Sequence, residues 1–224
     1  MGRRVEAGEA RGSVRIVPLG EAALLVRFAE RLEDGANRRA LALTAQLARE
    51  PIAGVLEVVP SLVSVLVRYA PSAIEPTRLA GEIALRLAAA PDAGTGRAHR
   101  IAVAFGGAGG PDLDAVAALL GLTPAQFIAR HNAGPLRVLT TGFAPGFVYC
   151  GLHEDGLTVP RRTQVRPLVP AGSVLFAAGQ TAITATDIPT GWHVIGRTAF
   201  RNFDPRRTPP LRLAAGDTIR FEAA

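Results

Sequence analysis

From Leu136 onward the chain breaks into short β-like pieces, and no other feature narrows its fold as far. The pieces are "LRVLTTGF", "LTVP", "GSVLFAAG", "TAITAT", "WHVIGRT" and "LRLAAGDTIRF", separated by proline and glycine. Six of them in under 90 residues, with little helical periodicity, predict an antiparallel sheet closing into a barrel. Near the end, "AAGDTIRF" reads as a turn into a last strand, with Gly216 and Asp217 as the turn pair.

Upstream, "HRIAVAF" reads as a strand. "GGAGGPDL" follows; it lacks the lysine and spacing of a phosphate-binding loop and reads as a turn feeding a helix. "LDAVAALLGLTPAQFIARHN" is a helix, a break at Gly121 and a second helix, with Thr123 and Gln126 as a capping box and Pro124 at the first helical position. The pair imitates a helix-turn-helix, but its second helix offers mainly Gln126, Arg130, His131 and Asn132 for bases. A two-helix cap on a sheet is the simpler reading.

The first half alternates strand and helix. "VRIVPLG" and "ALLVRF" are short strands; "ANRRALALTAQLA" places Ala36, Ala40, Leu43 and Leu47 on one helical face. "VSVLVRY" aligns Val63, Val65, Val67 and Tyr69 on one side of a strand, and "PTRLAGEIALRLAAA" repeats Leu79, Ile83 and Leu87 along a helix. The fold class expected is therefore an α+β N-terminal domain, residues 1–90, followed by a mainly-β barrel domain, residues 97–224. "PDAGTG", Pro91 to Gly96, has the composition of a linker between them.

The 25 basic residues are all arginine, which sets the net charge at +6. Residues 1–99 carry 13 arginines against 11 acids, and the rest 12 against 8, with no long basic block. Nucleic acid is thus not an expected partner. No apolar run reaches the length of a membrane span, and "MGRRVEAGEARGSV" has no apolar core after its charges, so the cytoplasm is the default compartment. One cysteine, Cys150, excludes an internal disulfide, and histidines 99, 131, 153 and 193 lack metal-ligand spacing, so no metal is predicted. Cys150 has no neighbouring base and reads as an inert buried thiol; His193 reads as an ordinary sheet residue.

No Ser-His-Asp, HExxH or GxSxG pattern occurs, and no catalytic residue is assigned. What clusters is arginine with proline. In "VPRRTQVRPLVPAG", Arg161, Arg162 and Arg166 lie on a segment stiffened by Pro160, Pro167 and Pro170. Guanidinium groups bind carboxylate or phosphate through paired hydrogen bonds; Gln180 and Thr181 add neutral donors, and Trp192 a flat wall. The residues alone support two readings equally: a site for a small acid or amide, and an exposed basic loop. A strand-like path from Pro160 puts Arg161 and Arg162 on opposite faces, with Arg162 in solvent.

At these residues the chain resembles a known family. "TTGFAPGFVYCGL", "VPRRTQVRPLVPAGSV", "GQT", "PTGWHVIGRT", "FD" and "GDTIRF", with "PLGEAALLVRF" earlier and "GGPDL" in the middle, are similar to the B subunit of the ATP-hydrolysing 5-oxoprolinase. That family is also described as allophanate hydrolase subunit 1 and as sporulation-kinase inhibitors. The resemblance implies a cyclophilin-like barrel and a partner homologous to the enzyme's C subunit. Together with the A subunit, these perform ATP-dependent opening of 5-oxo-L-proline to glutamate. Related paired domains in urea carboxylase form a carboxyltransferase. The resemblance also implies a substrate-binding set: His131, Phe143, Tyr149, Arg161, Arg166, Gln180, Thr181, Trp192 and Arg197, with Pro145, Gly146 and Pro160 beside them. The Pro170–Thr198 stretch then looks like the lining of a site shared with a partner, and the chain is expected to be inactive alone.

The chain departs from the family's pattern at "QTAITA" and "IPTGW", where relatives carry "QTGIYP" and "SPGGW", and at Leu136 and Val165. Ala182 and Thr190 replace glycines, which matters if the backbone there needs positive φ. Thr184 replaces a tyrosine, which predicts a wider or wetter pocket and weaker binding. Three functions remain open at this point: a component of a multi-chain enzyme, a regulator docking on a sensor histidine kinase, and a DNA-binding protein.

Overall fold

Hydrophobic alternation along four short strands builds the first part of the molecule. The computed structural model describes residues 14–89, 94 and 96–224, so the residues before Val14 and most of Pro91–Gly96 lie outside it. Strands β1 (Arg15–Pro18), β2 (Ala23–Arg27), β3 (Val55–Pro60) and β4 (Ser64–Tyr69) form an antiparallel sheet in the order β1-β2-β4-β3. Helices α1 (Asp34–Arg49) and α2 (Pro76–Ala89) complete this part. Val65, Val67 and Tyr69 join Leu24 and Val26 in one core with Ala36, Ala40, Leu43 and Leu47 of α1 and Leu79 and Ile83 of α2. Strand β3 is not among the elements expected from sequence. Glu57 and Pro60 interrupt its pattern, which an edge strand tolerates because one side needs no partner.

The chain divides into two compact units, Met1–Ala93 and Gly94–Ala224. The second opens with β5 (Ala98–Phe105), a 3-10 turn at Gly107–Gly109, and helices α3 (Leu113–Leu119) and α4 (Pro124–His131). There follow β6 (Leu136–Thr141), β7 (Val148–Gly151), β8 (Arg166–Val169), β9 (Ser173–Ala177) and β10 (Gln180–Ile183). The last three are β11 (Ile188–Thr190), β12 (His193–Arg197) and β13 (Thr218–Ala223). Seven strands close a barrel in the order β10-β7-β6-β13-β5-β12-β9, while β8 and β11 pair outside it. The mainly-β barrel expected after an α+β unit is present.

Several details differ from the sequence reading. The barrel is not wholly antiparallel: β13 runs parallel to β5 from Thr218↔Ala98 to Ala223↔Val103. "LTVP" is no strand; Leu157 and Val159 are buried in the barrel core, and Val159 contributes one carbonyl bond, to the Ala178 N–H. Its Pro160 has no N–H to give a ladder. Leu211 makes only an isolated bridge to Phe203. The closing turn falls on Ala215 and Gly216. Asp217 instead is buried and accepts the N–H groups of Ala214 and Arg97, tying the last turn to the start of the unit.

The helix pair is a cap. Thr123 and Gln126 form the reciprocal capping box, and Leu113, Val116, Ala117 and Phe127 enter the barrel core. "GGAGGPDL" is a close-approach turn: a Cβ on Gly110 would overlap the Ile195 carbonyl of β12. Among the described residues, no helix is long and apolar enough to cross a membrane.

Candidate functional site

Side chains alternate across a strand, and in this barrel the alternation sorts the expected site residues onto two faces. On β7, β9 and β10, Val148, Cys150, Val174, Phe176 and Ile183 belong to the interior core. Tyr149, Leu175, Ala177 and Ala182 gather in a separate outer cluster with Phe147, Val194 and Trp192. Thr181 therefore points inward and its neighbour Gln180 outward.

The outer face carries a row of rings. Phe143 meets Phe147 edge-on at 5.5 Å between centroids, Phe147 lies 4.7 Å from Tyr149, and Tyr149 meets Trp192 at 5.9 Å. Arg161 closes the row, its guanidinium carbon 5.7 Å from the Trp192 ring centre. Burial pushes the Tyr149 phenol above its ordinary pKa, against the opposing pull of Arg161. Phe143 is 71% exposed and holds φ 73°, a conformation that non-glycine residues rarely adopt.

Arg161 is held over Trp192 by its neighbours in chain. The His193 ring donates from Nε2 to the Pro160 carbonyl (3.0 Å), and the Arg162 N–H donates to the Gly191 carbonyl (2.8 Å). The Arg162 side chain does not point into solvent as its strand-like path suggested. It donates to the Asp112 carboxylate at 2.9 Å, and Arg166 donates to the same oxygen. The other Asp112 oxygen accepts the Val194 N–H at 2.8 Å. A buried carboxylate without partners is costly, which is why two arginines converge there. Arg166 also lines a cleft of about 130 Å³ with Arg197, Gly109, Pro170, Ser173 and Val194.

The inner face holds a different cluster. His131 Nε2 and His153 Nε2 both lie 2.8 Å from Thr181 Oγ1, and their rings stand 4.7 Å apart. His131 Nδ1 contacts Asn132 Oδ1 at 2.7 Å. Burial pulls the His131 pKa down to about 4; burial and the neighbouring His131 bring His153 to about 3. Both rings are neutral at pH 7. Burial likewise pushes the Cys150 thiol up, leaving it protonated and inert.

The nine expected binding residues thus do not form one group. Phe143, Tyr149, Arg161 and Trp192 come together outside the barrel, and Arg166 and Arg197 share the cleft. His131 and Thr181 sit inside the barrel. Gln180 is buried, with its amide nitrogen lacking a hydrogen-bond partner. Sequence reasoning missed Phe147, His153 and Asp112. The spacing of Phe147 two residues before Tyr149 was a usable signal, since i and i+2 share a strand face. Nothing local marked Asp112, whose arginine partners lie 50 and 54 residues away. The substituted positions are also explained: among the described non-glycine residues only Phe143 and Ala178 have positive φ, so Ala182 and Thr190 sit in ordinary strand backbone.

The chain thus combines a four-stranded sheet with two helices and a seven-stranded barrel whose outer face carries aromatic rings and an arginine. The family model for the carboxyltransferase domain, subdomains C and D, matches residues 14–213, and the chain belongs to that family. It is 33% identical over 219 residues to the B subunit of 5-oxoprolinase from Bacillus subtilis (strain 168), covering 92% of this chain and 91% of that one. It is 46% identical over 121 residues to the B subunit of 5-oxoprolinase from Escherichia coli O157:H7, covering 54% of this chain and 56% of that protein. The crystal structure of TTHA0988 superposes with a TM-score of 0.79 at 35% identity, over 95% of this chain but 40% of that longer one. Kluyveromyces lactis urea carboxylase shares the fold at 16% identity, with a TM-score of 0.78 over 94% of this chain and 22% of that one.

Proposed function

We propose that this chain is one subunit of an ATP-dependent complex that opens 5-oxo-L-proline to L-glutamate. Its outer barrel face binds the substrate together with homologues of the 5-oxoprolinase C and A subunits. The observation that carries this reading is Arg161. Its guanidinium rests on the Trp192 ring beside Tyr149, whereas Arg162 and Arg166 are occupied by Asp112. 5-Oxoproline presents one carboxylate and one small flat amide ring. Arg161 takes the carboxylate through paired hydrogen bonds, and Trp192 and Tyr149 wall the ring.

The chemistry of this face is binding and orientation. Its ionisable groups are a phenol held protonated by burial and a permanently charged guanidinium, neither of which activates water at pH 7. The acid–base groups and the nucleotide are therefore assigned to the partners, and the chain alone is expected to show no 5-oxoproline-dependent ATP hydrolysis. In the reconstituted complex, Arg161→Ala removes a charge-assisted contact of about 1.5–3 kcal/mol, so KM for 5-oxoproline rises by roughly 10- to 150-fold. An unchanged KM in that variant, or turnover by the chain without partners, overturns the proposal.

A further inference from the structure

We infer that Asp112 is a positioning residue for the outer face: its carboxylate clamps the 160–166 segment so that Arg161 is presented over Trp192. The inference deepens the reading of that face as the binding site and rests on it for its functional consequence, but not for its geometry.

Asp112 lies just before α3, on a turn brought against β12 by Gly110, and it is 5% exposed. One oxygen accepts the Val194 N–H, which fixes the carboxylate to β12 two residues beyond Trp192. The other takes Arg162 and Arg166 together, one from each side of the Thr163–Gln164 bend. The segment carrying Arg161 is also tied to the barrel around Trp192 through Gly191 and His193, and at Arg166 it enters the β8–β11 pairing opposite Thr190. Those ties are neutral hydrogen bonds, whereas the Asp112 pairs are charge-assisted, on a carboxylate that is itself buried. Removing the carboxylate leaves the two arginines with no counter-charge there, and they move outward to water. Arg161, in the same segment, goes with them. Asp112 touches neither the ring row nor Arg161, so its effect is on placement.

Trp192 is the single tryptophan of the chain, so its fluorescence reads this placement directly. In the full-length protein, Asp112→Asn keeps the shape and the Val194 acceptor but loses the charge. Acrylamide quenching of Trp192 is expected to rise about twofold, matching Arg161→Ala, because both variants uncover the same ring face. In the reconstituted complex, Asp112→Asn is expected to raise KM for 5-oxoproline about tenfold with kcat within about twofold, the signature of lost substrate placement. Asp112→Glu, which keeps the charge, recovers part of the quenching protection. Native quenching in a folded Asp112→Asn protein overturns the inference. If Asp112→Asn does not fold, Arg162→Met tests the same clamp with Asp112 still paired to Arg166, and native quenching there overturns it equally. An exposed Trp192 combined with unchanged KM in both Asp112→Asn and Arg161→Ala keeps the clamp and instead refutes the outer face as the 5-oxoproline site.

Discussion

Thr181 has one hydroxyl proton and two imidazole nitrogens against it, and that shortage orders the whole cluster. If His131 donates from Nδ1 to Asn132 Oδ1, its Nε2 must accept, so Thr181 donates to it and accepts in turn from His153 Nε2. Every bond in the series runs one way, and a second proton on His131, at Nε2, would meet the Thr181 hydroxyl proton. Burial holds His131 at a pKa of about 4 against the opposing Asn132 hydrogen bond, and burial with the neighbouring His131 holds His153 at about 3, both below their ordinary 6.5. The unfolded chain binds the extra protons first, so stability is full above about pH 6.5 and falls as pH drops toward the folded values. Between pH 7 and pH 5 the loss is about 2 kcal/mol per ring. Asp217 adds to it only at lower pH: burial opposes its ionisation, but the Ala214 and Arg97 N–H groups and His99 hold its pKa below the ordinary 3.8. Urea midpoints at both pH values test this, and His153→Phe should remove about half of the pH dependence. Thr181→Val leaves both Nε2 atoms without a partner and should cost about 2–3 kcal/mol at pH 7. Equal stability at pH 5 and pH 7 in the native chain would refute the assignment.

At the scale of elements, the substitutions that set this chain apart are built into its strands. Thr184 accepts the Ser173 N–H at 3.0 Å and donates to the Pro170 carbonyl at 3.0 Å, so the hydroxyl closes the end of the β9–β10 hairpin. Thr190 accepts the Trp192 N–H and helps to fix that ring. Neither position is among the residues lining the cleft of Arg166 and Arg197. Thr184 is wholly buried. Restoring glycine at Ala182 or Thr190 is then a loss of about 0.5–1 kcal/mol each, from chain entropy in a strand. Thr184→Tyr breaks two bonds and should lower the thermal midpoint further. The reverse constraint lies in the loop from Gly142 to Phe147. Gly146 has φ 71°, and a Cβ there would press on Phe203 and Ala185. Gly146→Ala should cost at least about 1–2 kcal/mol and disturb Phe143 and Phe147 with it, measurable as a lower melting temperature and altered aromatic circular dichroism.

At the scale of the molecule, the second unit depends on its final strand. Strand β13 lies between β5 and β6, parallel to one and antiparallel to the other, and supplies Ile219 and Phe221 to the core. Removing it opens the barrel and exposes two strand edges at once. A chain ending at Asp217 should lose the cooperative transition of this unit and shift Trp192 emission to that of a solvent-exposed indole. A Gly94–Ala224 fragment, which keeps every barrel strand, should fold alone. A truncated chain with native Trp192 emission would show that β13 is dispensable.

Local pattern was enough to announce the two-part architecture, because strand alternation, helix periodicity, the Thr123–Gln126 capping box and the turn residues are all short-range signals. The arginine-rich segment and Trp192 were legible only as candidates for binding, beside the reading of an exposed basic loop, because residue type implies what a guanidinium or an indole can hold and not whether it does. Three things were settled only by folding. The parallel insertion of β13 depends on which gap is left when the barrel closes. The separation of Gln180 from Thr181 depends on which strand face turns inward, and a period of two names the alternation without naming the inside. The pairing of Asp112 with Arg162 and Arg166 joins residues 50 and 54 positions apart, and only burial of the carboxylate makes that pairing necessary.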